Sequence, residues 1–236
     1  MNIERELLIT LLKLTKNGSV SQEIINMYAK IPLDAIQKLL RRMQNESLIY
    51  FGKGTVEADS SCRLKLAVRA INLGADVERV GSFLEWQEFE NMATKVLEQN
   101  SYIVKKNLRF SHAGRKWEID IVGCKRPMVV CIDCKHWHYG MHPSAIRRIV
   151  EAQVERTRAL AGFLPSPKCM IECSAWNQAK FIPAVLSLTL SRFKFYGNVP
   201  IVPVLQLQDF LNQLPAYVDT LKHFTRQIAN QLSGCV

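Results

Sequence analysis

No apolar run in the 236-residue sequence is long enough to cross a bilayer. The N-terminus also lacks a secretory pattern: Glu4 and Glu6 stand where a signal peptide is positively charged. Together these absences lead to the expectation of a cytoplasmic protein with no membrane partner. A disulfide framework is not expected either, because the seven Cys are an odd number in a reducing compartment. No internal repeat and no low-complexity linker separate its parts, so the domains are expected to be packed rather than loosely tethered. There are no aromatic stacking pairs of the kind that read single-stranded RNA on a sheet.

What is present is positive charge on a chain that can bury a core. Apolar residues make up 48% and charged residues 22%, with a net charge of +10 and a pI near 9.4. A polyanion is the expected partner, and nucleic acid is the commonest one. Residues 1–80 hold 12 Lys and Arg against 9 Asp and Glu, and residues 81–236 hold 19 against 12. Neither half is a disordered basic tail.

The first 60 residues read as three helices and a hairpin. IERELLITLLKLT (3–15) puts Leu7, Leu8, Leu11 and Leu12 on one stripe, and Asn17-Gly18 ends it. Ser21 caps a second helix, with Glu23 in its first turn. Pro32 opens a third, which buries Ile36, Leu39, Leu40 and Met43 and turns Gln37, Lys38, Arg41 and Gln44 outward. LIYFGKGTVEA then reads as two short strands around Gly-Lys-Gly. That order is the winged-helix order, in which the third helix reads the major groove. Lys38, Arg41, Arg42 and Lys53 are its candidate DNA contacts; the alternative is solvated charge on a protein-binding module. A winged-helix domain is therefore expected over 1–62 and a helical connector over 63–82.

Residues 83–236 read as an α/β domain. A helix runs to about Gln99. Strands follow at 102–110, 116–123 and 128–137, the last two joined by the short Cys124–Pro127 connection. A long helix from Pro143 comes next, then a strand over 168–176, a helix over 177–190, a strand over 199–207 and helix over 208–230.

Polar residues interrupt this pattern at chemically informative places. In MVVCIDCKHW, Cys131, Asp133 and Lys135 share one face and Val130, Ile132 and Cys134 the other. Apolar neighbours on both faces mark a central strand, where a charge is costly unless it pairs or binds something. The short connection makes the preceding strand an antiparallel neighbour and brings Asp120 close to Asp133. Two adjacent carboxylates repel, and a cation is the usual reason to tolerate them. On the opening helix, Trp86, Phe89, Ala93 and Leu97 form the apolar stripe; Glu90 falls beside it, whereas Glu85 and Glu88 fall away. Glu90, Asp120 and Asp133 make an oxygen-rich set suited to Mg²⁺ or Mn²⁺ rather than zinc. Lys135 would orient water or neutralise developing charge. The rival reading is a structural Asp133–Lys135 ion pair. Cys131 and Cys134 form a CxxC, and Cys169 and Cys173 a CxxxC. However, 131 and 134 leave opposite faces of a strand, so buried thiols are expected rather than a zinc site.

The stretches WQEFENMATKVLEQNSYIVKKN, EID and VVCIDCK resemble the PD-(D/E)XK nuclease superfamily. They are similar to Mrr-type restriction endonuclease domains and archaeal Holliday-junction resolvases over roughly residues 83–215. The resemblance implies a restriction-endonuclease-like mixed sheet flanked by helices. It implies Glu90, Asp120 and Asp133 as metal ligands with the carbonyl of Cys134, and Lys135 as the catalytic lysine. The third-strand acid is Asp where Glu is common in Mrr-like proteins. A helix glutamine matters in some relatives, and Gln153 occupies a comparable stretch. Glu118 shares the face of Asp120, with an ion pair as its plainer role. His136, beside the lysine, could touch phosphate or serve the surface. Arg147, Arg148, Arg156 and Arg158 could face DNA, although Glu151 and Glu155 suggest a salt-bridged helix face.

The function expected is a Mg²⁺-dependent endonuclease that hydrolyses DNA by direct attack of water, with a homodimer if both strands are cut. The alternatives are a non-catalytic DNA-binding regulator and an RNA-processing nuclease.

Overall fold

The computed structural model describes residues 2–135, 143–166, 169, 171–188 and 193–227. The chain divides into two compact units, the first ending at Met92 and the second beginning at Ala93.

In the first unit, α1 (Ile3–Leu14) starts at Asn2, whose side chain accepts the Arg5 N–H. Its Leu7, Leu8, Leu11 and Leu12 stripe is fully buried. β1 (Val20–Ser21) leads into α2 (Gln22–Ala29), where the Ser21 hydroxyl accepts the Ile24 N–H. α3 (Leu33–Asn45) follows Pro32 and buries Ile36, Leu40 and Met43. β2 (Tyr50–Gly52) and β3 (Thr55–Glu57) form a hairpin, and the sheet runs β1-β3-β2. Lys53 and Gly54 make its turn with φ of 52° and 75°. Positive φ at both positions matches the twist of the strands they join. α4 (Ser60–Asn72), capped by Asp59, lies on α1, and α5 (Val77–Gly81) follows it. Leu64, Leu66, Ala67 and Ala70 of α4 are buried, so much of the 63–82 stretch contributes core to this unit.

α6 (Trp86–Gln99) passes from the first unit to the second. Beyond it, β4 (Ile103–His112), β5 (Arg115–Lys125) and β6 (Met128–Lys135) form the expected antiparallel meander. α7 (Pro143–Phe163) then returns the chain so that β7 (Gln178–Ser187) runs parallel to β6. β8 (Phe195–Tyr196) and β9 (Val199–Pro203) complete one side, with β9 parallel to β7. After α8 (Leu207–Tyr217), β10 (Phe224–Gln227) pairs antiparallel with the start of β7. The result is a mixed sheet in the order β4-β5-β6-β7-β9-β8, flanked by helices, as expected. Val122, Cys131, Leu160 and Phe181 belong to one of its buried clusters. Gly123 of β5 admits the end of α6, since a Cβ there would stand 3.0 Å from Leu97 Cδ2.

The structure corrects the later elements. Residues 172–175 are a 3₁₀ turn within the expected strand at 168–176, and the expected helix at 177–190 is strand β7 as far as Ser187. Pro183 sits within β7 opposite Cys131. The Lys180 N–H donates to Pro127 on the β6 side, so by alternation position 183 faces the other edge. There β10 pairs only 178–181 and β9 only 185–187. A residue without an N–H therefore costs no ladder bond at 183. Similarly, helix does not fill 208–230: it stops at Tyr217, and β10 follows.

Candidate active site

The polar residues of β6 sit as the period-two reading required. β6 is buried along its length except at Lys135. Its register with β5 pairs Ile121 with Ile132, and one further step sets Asp120 against Asp133. The Cys134 N–H donates to Asp120 Oδ2 at 2.8 Å. Asp133, only 2% exposed, has its Oδ1 3.0 Å from Lys135 Nζ and 3.0 Å from Arg156 Nη1 of α7. Its Oδ2 is buried without a hydrogen-bond partner. Asp120, Asp133, Lys135 and Arg156 together sum to zero charge. The Lys135 and Arg156 side chains are each about 30% exposed, so the cationic side of the set reaches solvent.

Gln153 lies one turn before Arg156 on α7 and is fully buried. Its Nε2 donates to the Cys131 carbonyl at 2.8 Å, and its Oε1 has no partner. Two buried acceptors without donors therefore line this stretch of β6 and α7, which is costly unless something fills the need. Among the described residues no three His, Cys, Asp or Glu side chains converge in a metal-holding group. A carboxylate pair nevertheless fits Mg²⁺, which is commonly held by one or two carboxylates, substrate phosphates and water. The orphaned Asp133 Oδ2 is the acceptor such an ion would satisfy.

Cys131 and Cys134 are buried free thiols, and burial pushes the Cys131 thiol well up. A raised pKa keeps the Cys131 thiol protonated. Cys124 differs, because hydrogen bonding to the Cys173 thiol holds it below its usual value.

Glu90 is 6% exposed, and the Trp86 indole N–H donates to its Oε1. It stands on the part of α6 that belongs to the first unit. Glu88 overturns the helix-stripe reading: it is buried, its Oε1 2.5 Å from Arg63 Nε of α4. Arg63 also donates to the carbonyls of Leu12 and Phe83 and to the Thr15 hydroxyl. Glu118 is paired with Arg109 at 3.1 Å. His136 lies outside the described residues. Arg147 pairs with Glu151, and Arg115 with Glu155, as a salt-bridged face requires. Arg156 departs from that face. The signal for it was its spacing of three from Gln153 and four from Leu160, the inward stripe of α7.

In the first unit Lys38, Arg41 and Lys53 are exposed. Arg42 is exposed as well, but it is engaged: its guanidinium lies 2.5 Å from Glu4 and 3.8 Å from Glu46. Arg69 of α4 pairs with the same two glutamates. This network ties α1, α3 and α4 together.

Residues 85–160 match the family described as NERD, nuclease-related domain. That span runs from the start of α6 into α7 and contains Glu90, Asp120, Asp133, Lys135, Gln153 and Arg156. An uncharacterized protein of Archaeoglobus fulgidus is 29% identical over 136 residues, which is 57% of this chain and 95% of the relative. Three solved structures are similar at low identity. A protein of unknown function shares 14% identity, with a TM-score of 0.29 over 44% of this chain and 49% of its own. A protein from Vibrio cholerae shares 10%, with a TM-score of 0.38 over 92% and 52%. Can2 from Sulfobacillus thermosulfidooxidans, solved in complex with cyclic tetra-adenylate, shares 14%, with a TM-score of 0.37 over 91% and 51%. The chain thus spans about half the length of these solved chains. The stretch that carries the Asp120–Asp133–Lys135 cluster is therefore similar to a nuclease-related domain.

Proposed function

We propose that this chain is a Mg²⁺- or Mn²⁺-dependent endonuclease that hydrolyses DNA phosphodiester bonds. The observation that carries the reading is Asp133: a buried carboxylate on an apolar central strand, set against Asp120, with one oxygen lacking any donor. Asp120, Asp133 and the Cys134 carbonyl would hold the ion, and Glu90 is the further acid that the motif resemblance adds. When bound, a divalent ion there supplies Lewis-acid polarisation of the phosphodiester and a lowered water pKa.

The chain's own residues do the rest. The Cys134 N–H fixes the Asp120 carboxylate, and Lys135 holds Asp133 through Oδ1, which Arg156 also approaches. Lys135 is partly exposed at the mouth of this set, where its ammonium can orient an attacking water or meet charge that develops on a phosphate oxygen. No nucleophilic side chain is needed, so water attacks phosphorus directly.

The first unit would present the DNA. Its order of three helices and a hairpin, closed by the Lys53-Gly54 turn, supports a winged helix with α3 as the groove-facing element. Lys38, Arg41 and Lys53 are exposed cations suited to phosphate contact. The Arg42 guanidinium is already held by Glu4 and Glu46.

The test is cleavage of labelled duplex, single-stranded and branched DNA, with RNA alongside, in Mg²⁺, Mn²⁺ or EDTA, beside Asp133→Ala. Metal-dependent DNA cleavage lost in the variant is the expected result. DNA binding without cleavage points to a regulator, and cleavage of RNA alone to an RNA-processing enzyme.

A further inference from the structure

Arg156 touches the candidate site from α7, on the carboxylate oxygen that Lys135 already approaches. One cation would suffice to neutralise Asp133. Two on Oδ1, with Oδ2 left without a partner, call for another explanation. Packing does not supply it, because Gln153 already ties α7 to β6 through the Cys131 carbonyl.

Charge does. Asp120, Asp133 and Lys135 alone sum to −1; with Arg156 they sum to zero. A divalent cation added to a neutral set leaves +2. A phosphodiester brings −1, and a second negative charge develops as water adds to phosphorus. We propose that Arg156 is a substrate-phosphate residue that sets the charge of this site, trading divalent-cation affinity for affinity toward the phosphodiester. The inference rests on the metal-site reading above. It assigns Arg156 to substrate rather than to the salt-bridged face of α7.

The sign of one measurement separates this role from a structural clamp. A clamp that holds Asp133 in place would, when cut, weaken cation binding. A competing positive charge would, when removed, strengthen it. Mn²⁺ affinity of the full chain is read by counting free Mn²⁺ by electron paramagnetic resonance, without any activity assay. Arg156→Gln should bind Mn²⁺ roughly tenfold more tightly, the scale of removing one positive charge a few ångströms from a divalent ion in a hydrated setting. Its KM for DNA in saturating Mn²⁺ should rise severalfold. Arg156→Lys should restore both. Arg156→Met keeps the aliphatic stem without the charge and must match Arg156→Gln. Because Lys135 stays on Asp133, neither variant strands a buried carboxylate.

Unchanged or weaker Mn²⁺ binding in folded Arg156→Gln or Arg156→Met overturns the proposal while leaving the nuclease reading intact. Tighter Mn²⁺ binding with no nucleic acid cleaved by the wild-type chain leaves Arg156 as a charge that opposes the cation, and overturns both its assignment to a substrate phosphodiester and the nuclease reading. Absence of Mn²⁺ binding to the wild-type chain overturns both.

Discussion

Asp120 Oδ2 accepts the backbone N–H of Cys134 at 2.8 Å, so the carboxylate of one strand is held by the residue next to Asp133 in its neighbour. This bond separates geometry from charge at the site. Asn in place of Asp120 keeps an oxygen to accept the same N–H but loses the negative charge. Asp120→Asn is expected to leave the melting temperature nearly unchanged. It should lower kcat by roughly a hundredfold or more, the scale of several kcal/mol of transition-state stabilisation. Thermal unfolding and single-turnover cleavage in Mg²⁺ check it together. A stable variant that cleaves at the wild-type rate removes Asp120 from the ligand set.

Arg63 and Glu88 make the buried ion pair of the first unit, with the Arg63 side chain 3% and the Glu88 side chain 9% exposed. Arg63 satisfies two carbonyls and a hydroxyl besides Glu88. Arg63→Ala strands a buried carboxylate and these acceptors, so it should cost about 3–5 kcal/mol. Glu88→Gln keeps an acceptor for the guanidinium and a side chain near the Glu85 N–H, and should cost less. Urea denaturation of the two variants gives the comparison. An equal loss would mean that the packing of α4, rather than the ion pair, carries the stability.

Glu4 gives the chain a pH-dependent element. Partial burial raises its pKa, but hydrogen bonding and charge from Arg42 and Arg69 outweigh this, and the carboxyl lies below its usual 4.5. A folded-state value below the unfolded one means that the unfolded chain binds more protons in this window. The contribution is therefore complete above the unfolded value and disappears as pH falls through the folded one. In a Glu4→Gln series the melting temperature should fall below wild type at neutral pH, and the gap should close as the pH drops under 4.5. A gap that stays constant into acid would show that Glu4 acts through packing alone.

The candidate site was more legible than the later elements of the fold. A short connection forces β5 and β6 antiparallel, and a period of two then fixes which residues share a face, so the Asp120–Asp133 neighbourhood follows from local rules. β7 did not follow from them. Its fit depends on β10 and β9 leaving a gap beside Pro183, and both lie beyond it in the chain. Glu88 was misread for a related reason. A helical wheel shows the stripe of one helix, whereas the cation that buries Glu88 sits 25 residues earlier, on α4. Arg156 was hidden by its neighbours, since Arg147–Glu151 and Arg115–Glu155 pairs do make most of that face of α7 a surface.

The engagement of Arg42 sharpens what α3 should do with DNA. Both arginines are exposed, but Arg42 reaches Glu4 at 2.5 Å and Glu46 at 3.8 Å. A guanidinium that must leave two carboxylates to meet a phosphate gains less from the exchange than a solvated one. Arg41→Ala with Lys38→Ala should therefore weaken duplex binding and lower the slope of log K against log salt by about one for each phosphate no longer neutralised. Arg42→Ala should change that slope little and instead lower the melting temperature, because the tie among α1, α3 and α4 is cut. Fluorescence anisotropy across a salt series, with thermal unfolding of each variant, distinguishes the two behaviours. If Arg42→Ala flattened the slope as much as the double variant, Arg42 would be a phosphate-binding residue that Glu4 and Glu46 hold only in the absence of DNA. Unchanged binding in both would place the DNA elsewhere than on α3.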